Sequence, residues 1–166
     1  TQRLYDFIHR NPAVAIMRGS WVNNPYVIRH NKKQVSINTT LEMDLTGQVC
    51  SESIGHKQFS GTGGQADTAI GAQMSEGGKS FIALYSTAEV KQPDGTRKTV
   101  SKITPTLTPG AVVTLHRANV DYVVTEYGVV RLKGTSVEER ASLLISIAHP
   151  DFRAQLQEEA EKLGFL

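Results

Sequence analysis

The sequence predicts an α/β domain, a mixed and largely parallel sheet covered by helices. Three observations carry that expectation. Short runs rich in Val, Ile and Thr alternate with segments whose apolar residues recur at helical spacing, the pattern of strand and helix taking turns. Two pairs of strand-like runs are joined by tight turns, at Thr46-Gly47 and at Pro93-Asp94-Gly95, and such hairpins argue against a purely parallel sheet. The 166 residues, 39% hydrophobic and 20% charged, suffice for one domain whose core needs no disulfide or metal staple.

The elements follow in order. Leu4, Phe7 and Ile8 stand at i, i+3 and i+4, a short amphipathic helix that Asn11-Pro12 should end. Ala13 to Met17 is a short apolar run and reads as a buried strand; Asn23-Asn24-Pro25 reads as a turn. Gln34 to Glu52 reads as two strands, with Val35, Ile37, Thr39 and Leu41 on one face. Gly61-Thr62-Gly63-Gly64 then precedes a small-residue helix from Gln65 to Met74, which Gly77-Gly78 closes before a strand at Ser80 to Tyr85. A hairpin spans Glu89 to Ile103, and Ala111 to Leu115 and Asp121 to Thr125 are two more short strands. Ser136-Val137-Glu138-Glu139 has the form of a capping box ahead of the stripe Ala141, Leu144, Ile145, Ala148. Pro150 opens a last helix, with Phe152, Leu156, Ala160 and Leu163 on one face and Gly164 as its stop.

Composition removes several function classes. Lys and Arg number 18 against 16 for Asp and Glu, a net charge of +2, so no nucleic acid partner is expected. The short basic set Arg29, Lys32, Lys33 lacks interleaved aromatics and reads as a solvated turn. A mean hydropathy of -0.26 and the lack of a long apolar run predict no membrane span. The lone Cys50 excludes an intrachain disulfide and a cysteine-cluster zinc site, and suits a reducing, cytoplasmic location. The five histidines show no metal-ligand spacing, so no metal site is expected. The chain begins at Thr1 with no basic-then-apolar leader, which predicts no signal peptide and suggests a piece of something longer.

The glycine cluster is the first candidate for chemistry. Gly61, Gly63 and Gly64 stand between a strand-like and a helix-like segment, where backbone amides at a helix N-terminus can approach a ligand. Such a loop can cradle a phosphate, hold an oxyanion, or serve as an ordinary tight turn. It is neither a P-loop nor a strict dinucleotide fingerprint, and Gly77-Gly78-Lys79-Ser80 precedes a strand where a P-loop needs a helix. Glu126, at the carboxyl end of a strand, stands where open α/β sheets place ligands, and a solvated loop entrance is the plainer reading. Asn23 and Asn24 could donate to a substrate oxygen or only form a turn.

Several blocks together resemble the acetyl-CoA hydrolase/transferase family, with the nearest likeness to its 4-hydroxybutyrate CoA-transferases. They are Ser60-Gly61-Thr62-Gly63-Gly64-Gln65-Ala66-Asp67, Val22-Asn23-Asn24-Pro25, Leu41 to Val49, Val123-Val124-Thr125-Glu126-Tyr127-Gly128, and Ile147 to Arg153, in the family's order over almost the whole chain. The resemblance implies a C-terminal domain over residues 1–166, of CoA-transferase (NagB/RpiA-like) type, with its own N-terminal domain elsewhere and a homodimeric whole. It implies ping-pong transfer of CoA between an acyl-CoA and a short-chain carboxylic acid through a glutamyl-CoA thioester. Coenzyme A is then a substrate and no cofactor is permanently bound. The family's nucleophilic glutamate lies upstream of the first helix, so this chain alone is expected to be inactive. Gly64, with Gly63, matches the loop whose amide holds the thioester oxyanion. Asn23 matches an asparagine near the reacting carboxylate, and Glu126 a glutamate behind the active site. Gly61, Gly63, Gly64 and Gln65 are the expected CoA contacts. Hydrolysis, or non-catalytic binding of CoA or a nucleotide, are the alternatives. Thr68-Ala69-Ile70-Gly71-Ala72 replaces a Phe-x-Arg-Gly-Ala motif of many relatives, removing an arginine, and Lys91 to Lys98 is longer and more polar than usual.

Overall fold

The computed structural model describes residues 1–166. Helix α1 spans Gln2–Ile8, and two single-turn helices follow, α2 at Gly19–Val22 and α3 at Pro25–Ile28. Strands β1 Val35–Thr39, β2 Glu42–Asp44, β3 Val49–Cys50, β4 Ser53–Ile54 and β5 Lys57–Gln58 lead to helix α4 at Gln65–Met74. Strands β6 Lys79–Ala83, β7 Thr87–Lys91, β8 Arg97–Ser101, β9 Ile103–Thr104, β10 Tyr122–Thr125 and β11 Gly128–Arg131 precede helices α5 Val137–Ser146 and α6 Pro150–Lys162.

The central sheet has the order β1-β6-β10-β11, with β1, β6 and β10 parallel and β11 antiparallel to β10. This is the mixed, largely parallel sheet that strand–helix alternation predicts. A second sheet, β3-β2-β9, packs beside it, and β7-β8 form the hairpin, with Asp94 Oδ1 accepting from the Thr96 amide and hydroxyl at its tip. Met43, Leu45, Val49, Ile82, Ile103 and Val123 make the centre of one core, closed by Leu144 of α5 and Leu156 of α6. The α5 capping box forms in both directions: the Glu139 amide donates to Ser136 Oγ and the Ser136 amide to Glu139 Oε2.

The structure corrects four expectations. Ala13 to Met17 is not a strand; it pairs with no other segment, and Ile16 is 83% exposed. A short apolar run becomes a strand only where a neighbour can take its backbone bonds. Asn23-Asn24-Pro25 is a junction between two short helices, where Asn24 Oδ1 caps α3 by accepting from the Tyr26 amide at 2.9 Å. The segment from Gln34 to Glu52 holds three strands in two sheets. Ala111 to Leu115 contributes only a single bridge, Val49 to Leu115.

The face of β1 carrying Val35, Ile37 and Thr39 points outward, with Ile37 70% exposed, while Ser36 is buried. The reason is the close seat of α4. Ser36 pairs in register with Ser80, and Asn38 Nδ2 donates to Ser36 Oγ and to Thr68 Oγ1 of α4. A helix carrying Ala69, Gly71 and Ala72 sits directly over this inner face only because the strands present small side chains to it. Phe81 and Tyr122 continue the outer face, their rings stacked 5.0 Å apart.

Candidate active site

The strands β1, β6 and β10 end together at Thr39, Ala83 and Thr125, and the candidate residues gather at that carboxyl edge. Gly64 is the N-cap of α4, with φ -84° and ψ 12°. Asn23 is the C-cap of α2. The two touch: a Cβ on Gly64 would stand 2.8 Å from Asn23 Nδ2. Together with Ser20, Thr62, Gly63 and Asp67 they line a polar recess of about 680 Å³. At Gly61 and Gly63 an added Cβ would meet nothing within 4 Å, so the loop's outer surface is open.

A second recess, about 360 Å³, lies on the other side of the same loop, between Gly61, Gly63, Gly64 and the pair Ser51 and Glu52. Gln65 is buried there, and both ends of its amide are engaged within the chain. Its Nε2 donates to Thr39 O at 2.9 Å, and its Oε1 accepts from Ser51 Oγ at 2.8 Å. The side chain therefore fastens the glycine loop to the end of β1. Glu52 is 8% exposed and its Oε1 accepts from Thr62 Oγ1.

Glu126 does not reach the glycine loop. It stands past the end of β10, where Ser86 grips it: Ser86 Oγ donates to Oε1 at 2.6 Å and the Ser86 amide to Oε2 at 2.9 Å. Burial pushes the Glu126 carboxyl up, but the Ser86 hydroxyl and amide, its own backbone amide and nearby His149 outweigh that and hold it below the usual glutamate range. Glu126 lines a third recess of about 320 Å³ with Ala83, Leu84, Tyr85, Val124 and Lys102. Thr39 lines both this recess and the second one, so the three recesses form one continuous edge. Cys50 is buried, its Sγ donating to Ser53 O.

Sequence reasoning misses Ser86, Ser51 and Lys102. Their partners lie 14 to 62 residues away, and no local pattern marks a hydroxyl that will meet a carboxylate across the fold. His149 caps α6, its Nδ1 accepting from the Asp151 amide.

Residues 1–160 match the acetyl-CoA hydrolase/transferase C-terminal domain. Over 162 residues, 98% of the chain, it is 54% identical to a 4-hydroxybutyrate coenzyme A transferase of Clostridium kluyveri, of which that stretch is 36%. It is 52% identical over 164 residues, 99% of the chain and 36% of the relative, to a succinyl-CoA:cyclohexane-1-carboxylate CoA transferase of Geobacter metallireducens. The crystal structure of RipA from Yersinia pestis superposes on all of this chain with a TM-score of 0.87 at 42% identity, and the match covers 36% of that chain. The chain thus spans about a third of the length of the curated relatives it matches. No helix is long and apolar enough to cross a membrane. With sequence blocks, fold and relatives in agreement from end to end, the chain belongs to the acetyl-CoA hydrolase/transferase family, as its C-terminal domain.

Proposed function

We propose that this domain forms the oxyanion-binding side of a CoA-transferase active site, moving CoA between an acyl-CoA and a short-chain carboxylic acid such as acetate or 4-hydroxybutyrate. The observation that carries this is the contact between Gly64 and Asn23 at the N-terminus of a ten-residue helix, beside an open glycine loop. Amides there point outward with the positive end of the helix dipole, which suits an oxygen that gains charge in the transition state. Asp67, in the first turn of α4, lines the same recess and disfavours a phosphate dianion, so the oxyanion use is preferred to a phosphate cradle.

The nucleophile is a glutamate outside this chain. Its carboxylate attacks the acyl-CoA carbonyl, and the CoA thiolate leaves to give a mixed anhydride. The thiolate then attacks the glutamyl carbonyl, forming an enzyme thioester and releasing the first acid. The second acid reverses the sequence and departs with CoA. Gly64 holds the carbonyl oxygen as it becomes tetrahedral, and Asn23 orients the reacting carboxylate. Gly61 and Gly63 leave room for the pantetheine arm, while Gln65 braces the loop. Glu126 is a fixed negative charge behind the site. Water in place of the second acid gives hydrolysis, but relatives named as acetyl-CoA hydrolases are only 30–31% identical, so transfer is preferred.

The outer face of the central sheet, with Val35, Ile37 and Val129 exposed, is where the enzyme's own N-terminal part packs, since parallel sheets bury both faces. The whole enzyme is a cytoplasmic homodimer. The test compares this chain with the longer protein that includes its upstream sequence, following CoA exchange from acetyl-CoA to butyrate and 4-hydroxybutyrate. Exchange by the longer protein only, with a thioester that hydroxylamine cleaves, is the expected result. Robust exchange by residues 1–166 alone refutes the placement of the nucleophile.

A second expectation concerns Ser86→Ala in the longer protein. Removing the hydroxyl takes away one of the bonds that favour the charged form of Glu126, so its pKa rises toward the ordinary value. A group with a depressed pKa keeps its charge until the pH falls through that depressed value. The acid limb of the kcat profile should therefore move to higher pH, while at neutral pH, where Glu126 stays charged in both proteins, kcat should change little. An unmoved acid limb would remove Glu126 from the working site.

A further inference from the structure

Lys102 is a half-buried cation with a pocket in front of it and no carboxylate within ion-pair distance. It lies between β8 and β9, its backbone pinned on both sides: its amide donates to Ser86 O, and the Met43 amide donates to its carbonyl. The side chain turns toward the carboxyl edge of the central sheet, where Nζ donates to Thr40 O at 2.9 Å. None of the five ion pairs in the structure includes it, so no carboxylate oxygen lies within 4.0 Å of Nζ. Glu126, the nearest acidic neighbour by its electrostatic effect, is turned onto Ser86 instead. An ammonium partly withdrawn from water and paired only with a carbonyl stays costly until an anion reaches it, and burial accordingly pulls its pKa down.

The space before it suits one kind of anion. Ala83, Leu84 and Val124 make apolar walls, and Thr39, Lys102 and Glu126, its carboxylate turned onto Ser86, make the polar side, around about 320 Å³. That is the small end of the range for ligand sites, fit for an aliphatic chain of a few carbons with one charged end. Its position outside the carboxyl ends of β1, β6 and β10 is where open α/β sheets bind ligands. Through Thr39 it joins the recess under the glycine loop.

We infer that Lys102 binds the carboxylate of a short-chain acid whose aliphatic part lies against Ala83, Leu84 and Val124, and that this recess is the acid subsite. The inference rests on the transferase reading and names its acid-binding residue. The carboxylate it takes is either the reacting group of the incoming acid or the distal group of a dicarboxylate. In the first case the acyl group of an acyl-CoA makes no use of the charge, because its carboxylate has become a thioester.

The experiment uses the longer protein, in wild-type form and as Lys102→Met and Lys102→Arg. Calorimetry gives the Kd of butyrate and of succinate without turnover, and kinetics give KM for each acid and for butyryl-CoA. Lys102→Met should weaken acid binding at least tenfold and leave the butyryl-CoA KM within about twofold, with Lys102→Arg near wild type. Loss for both acids assigns the reacting carboxylate; loss for succinate alone assigns the distal one. Saturating acid should also slow reductive methylation of Lys102 at least tenfold relative to exposed Lys98 in the wild type, which needs no variant to fold. Lys102-dependent acid binding in a protein that transfers no CoA would sink the transferase reading and keep the subsite. Transfer with acid Kd, acid KM and methylation all indifferent to Lys102 overturns the inference.

Discussion

Gly64→Ala in the full-length enzyme should keep the fold and lose most of the activity. The backbone at Gly64, at φ -84° and ψ 12°, admits any L residue, so no conformational strain opposes the change. The new methyl would meet only one side chain, Asn23, at 2.8 Å from Nδ2 and 3.3 Å from Cγ. A short amide can turn aside at little cost to stability, and the melting temperature should stay within a few degrees. What is lost is position. Asn23 leaves the place where it faces the loop, and the methyl occupies part of the space through which a thioester reaches the Gly64 amide. Removal of one preorganised oxyanion contact costs roughly 10²–10³ in kcat, and Gly64→Val should lie at or beyond the upper end. Since the two residues touch, their effects should not add. Asn23→Ala makes room for the new methyl, so the double variant should be scarcely worse than the poorer single one. Measured kcat/KM for the two singles and the double, beside their melting curves, decides the matter. Wild-type turnover in Gly64→Val would strip the loop of its role.

What the sequence reveals depends on how local the cause is. The α5 capping box, the bracketing of α4 by glycines and the tip at Asp94 each rest on interactions within four residues, and all three form where expected. Asn23 and Gly64 are legible one at a time through a family likeness, but their contact joins α2 to α4 and no spacing announces it. Ala13 to Met17 and β1 mislead for related reasons. Apolarity in the first run implies burial, but a strand needs a partner edge, and none in this domain pairs with it. In β1 the alternation is real and the inner face is the other one, because the near approach of α4 selects Ser36 over Ile37 for the interior. Lys102 stays silent for the opposite reason: a lysine in a polar stretch has no signature until the fold withdraws it from water.

The two glycines that close α4 look alike in the sequence and should behave very differently. Gly77 has φ +70°, and a Cβ there would meet only Lys33 Cγ at 3.5 Å. Gly77→Ala therefore costs about 1–2 kcal/mol of left-handed strain and should lower the melting temperature by several degrees. Gly78 has no such dihedral demand, but its Cβ would overlap the Ala72 carbonyl oxygen and lie 2.8 Å from Ser75 Cβ and 2.9 Å from Gln34 O. Two of those obstacles are backbone, and neither can move alone. The Ala72 carbonyl belongs to the last turn of α4, where it accepts from the Ser75 amide, and Gln34 O accepts from the Lys79 amide where β6 begins beside β1. Ser75 Oγ, within the same knot, accepts from the Gln34 amide and donates to Asn31 O. Relief would part α4 from the β1–β6 ladder on which the glycine loop is mounted. We expect Gly78→Ala to cost more than about 4 kcal/mol, a large share of the roughly 5–15 kcal/mol that holds a domain together. Thermal and denaturant unfolding of residues 1–166 should show Gly77→Ala as a weakened fold and Gly78→Ala as a collapsed or insoluble one. Equal midpoints for the two would mean that α4 can shift on the sheet. In that case the register between Gly64 and Asn23 at its other end would not be fixed by the fold, and the oxyanion geometry would have to come from bound substrate.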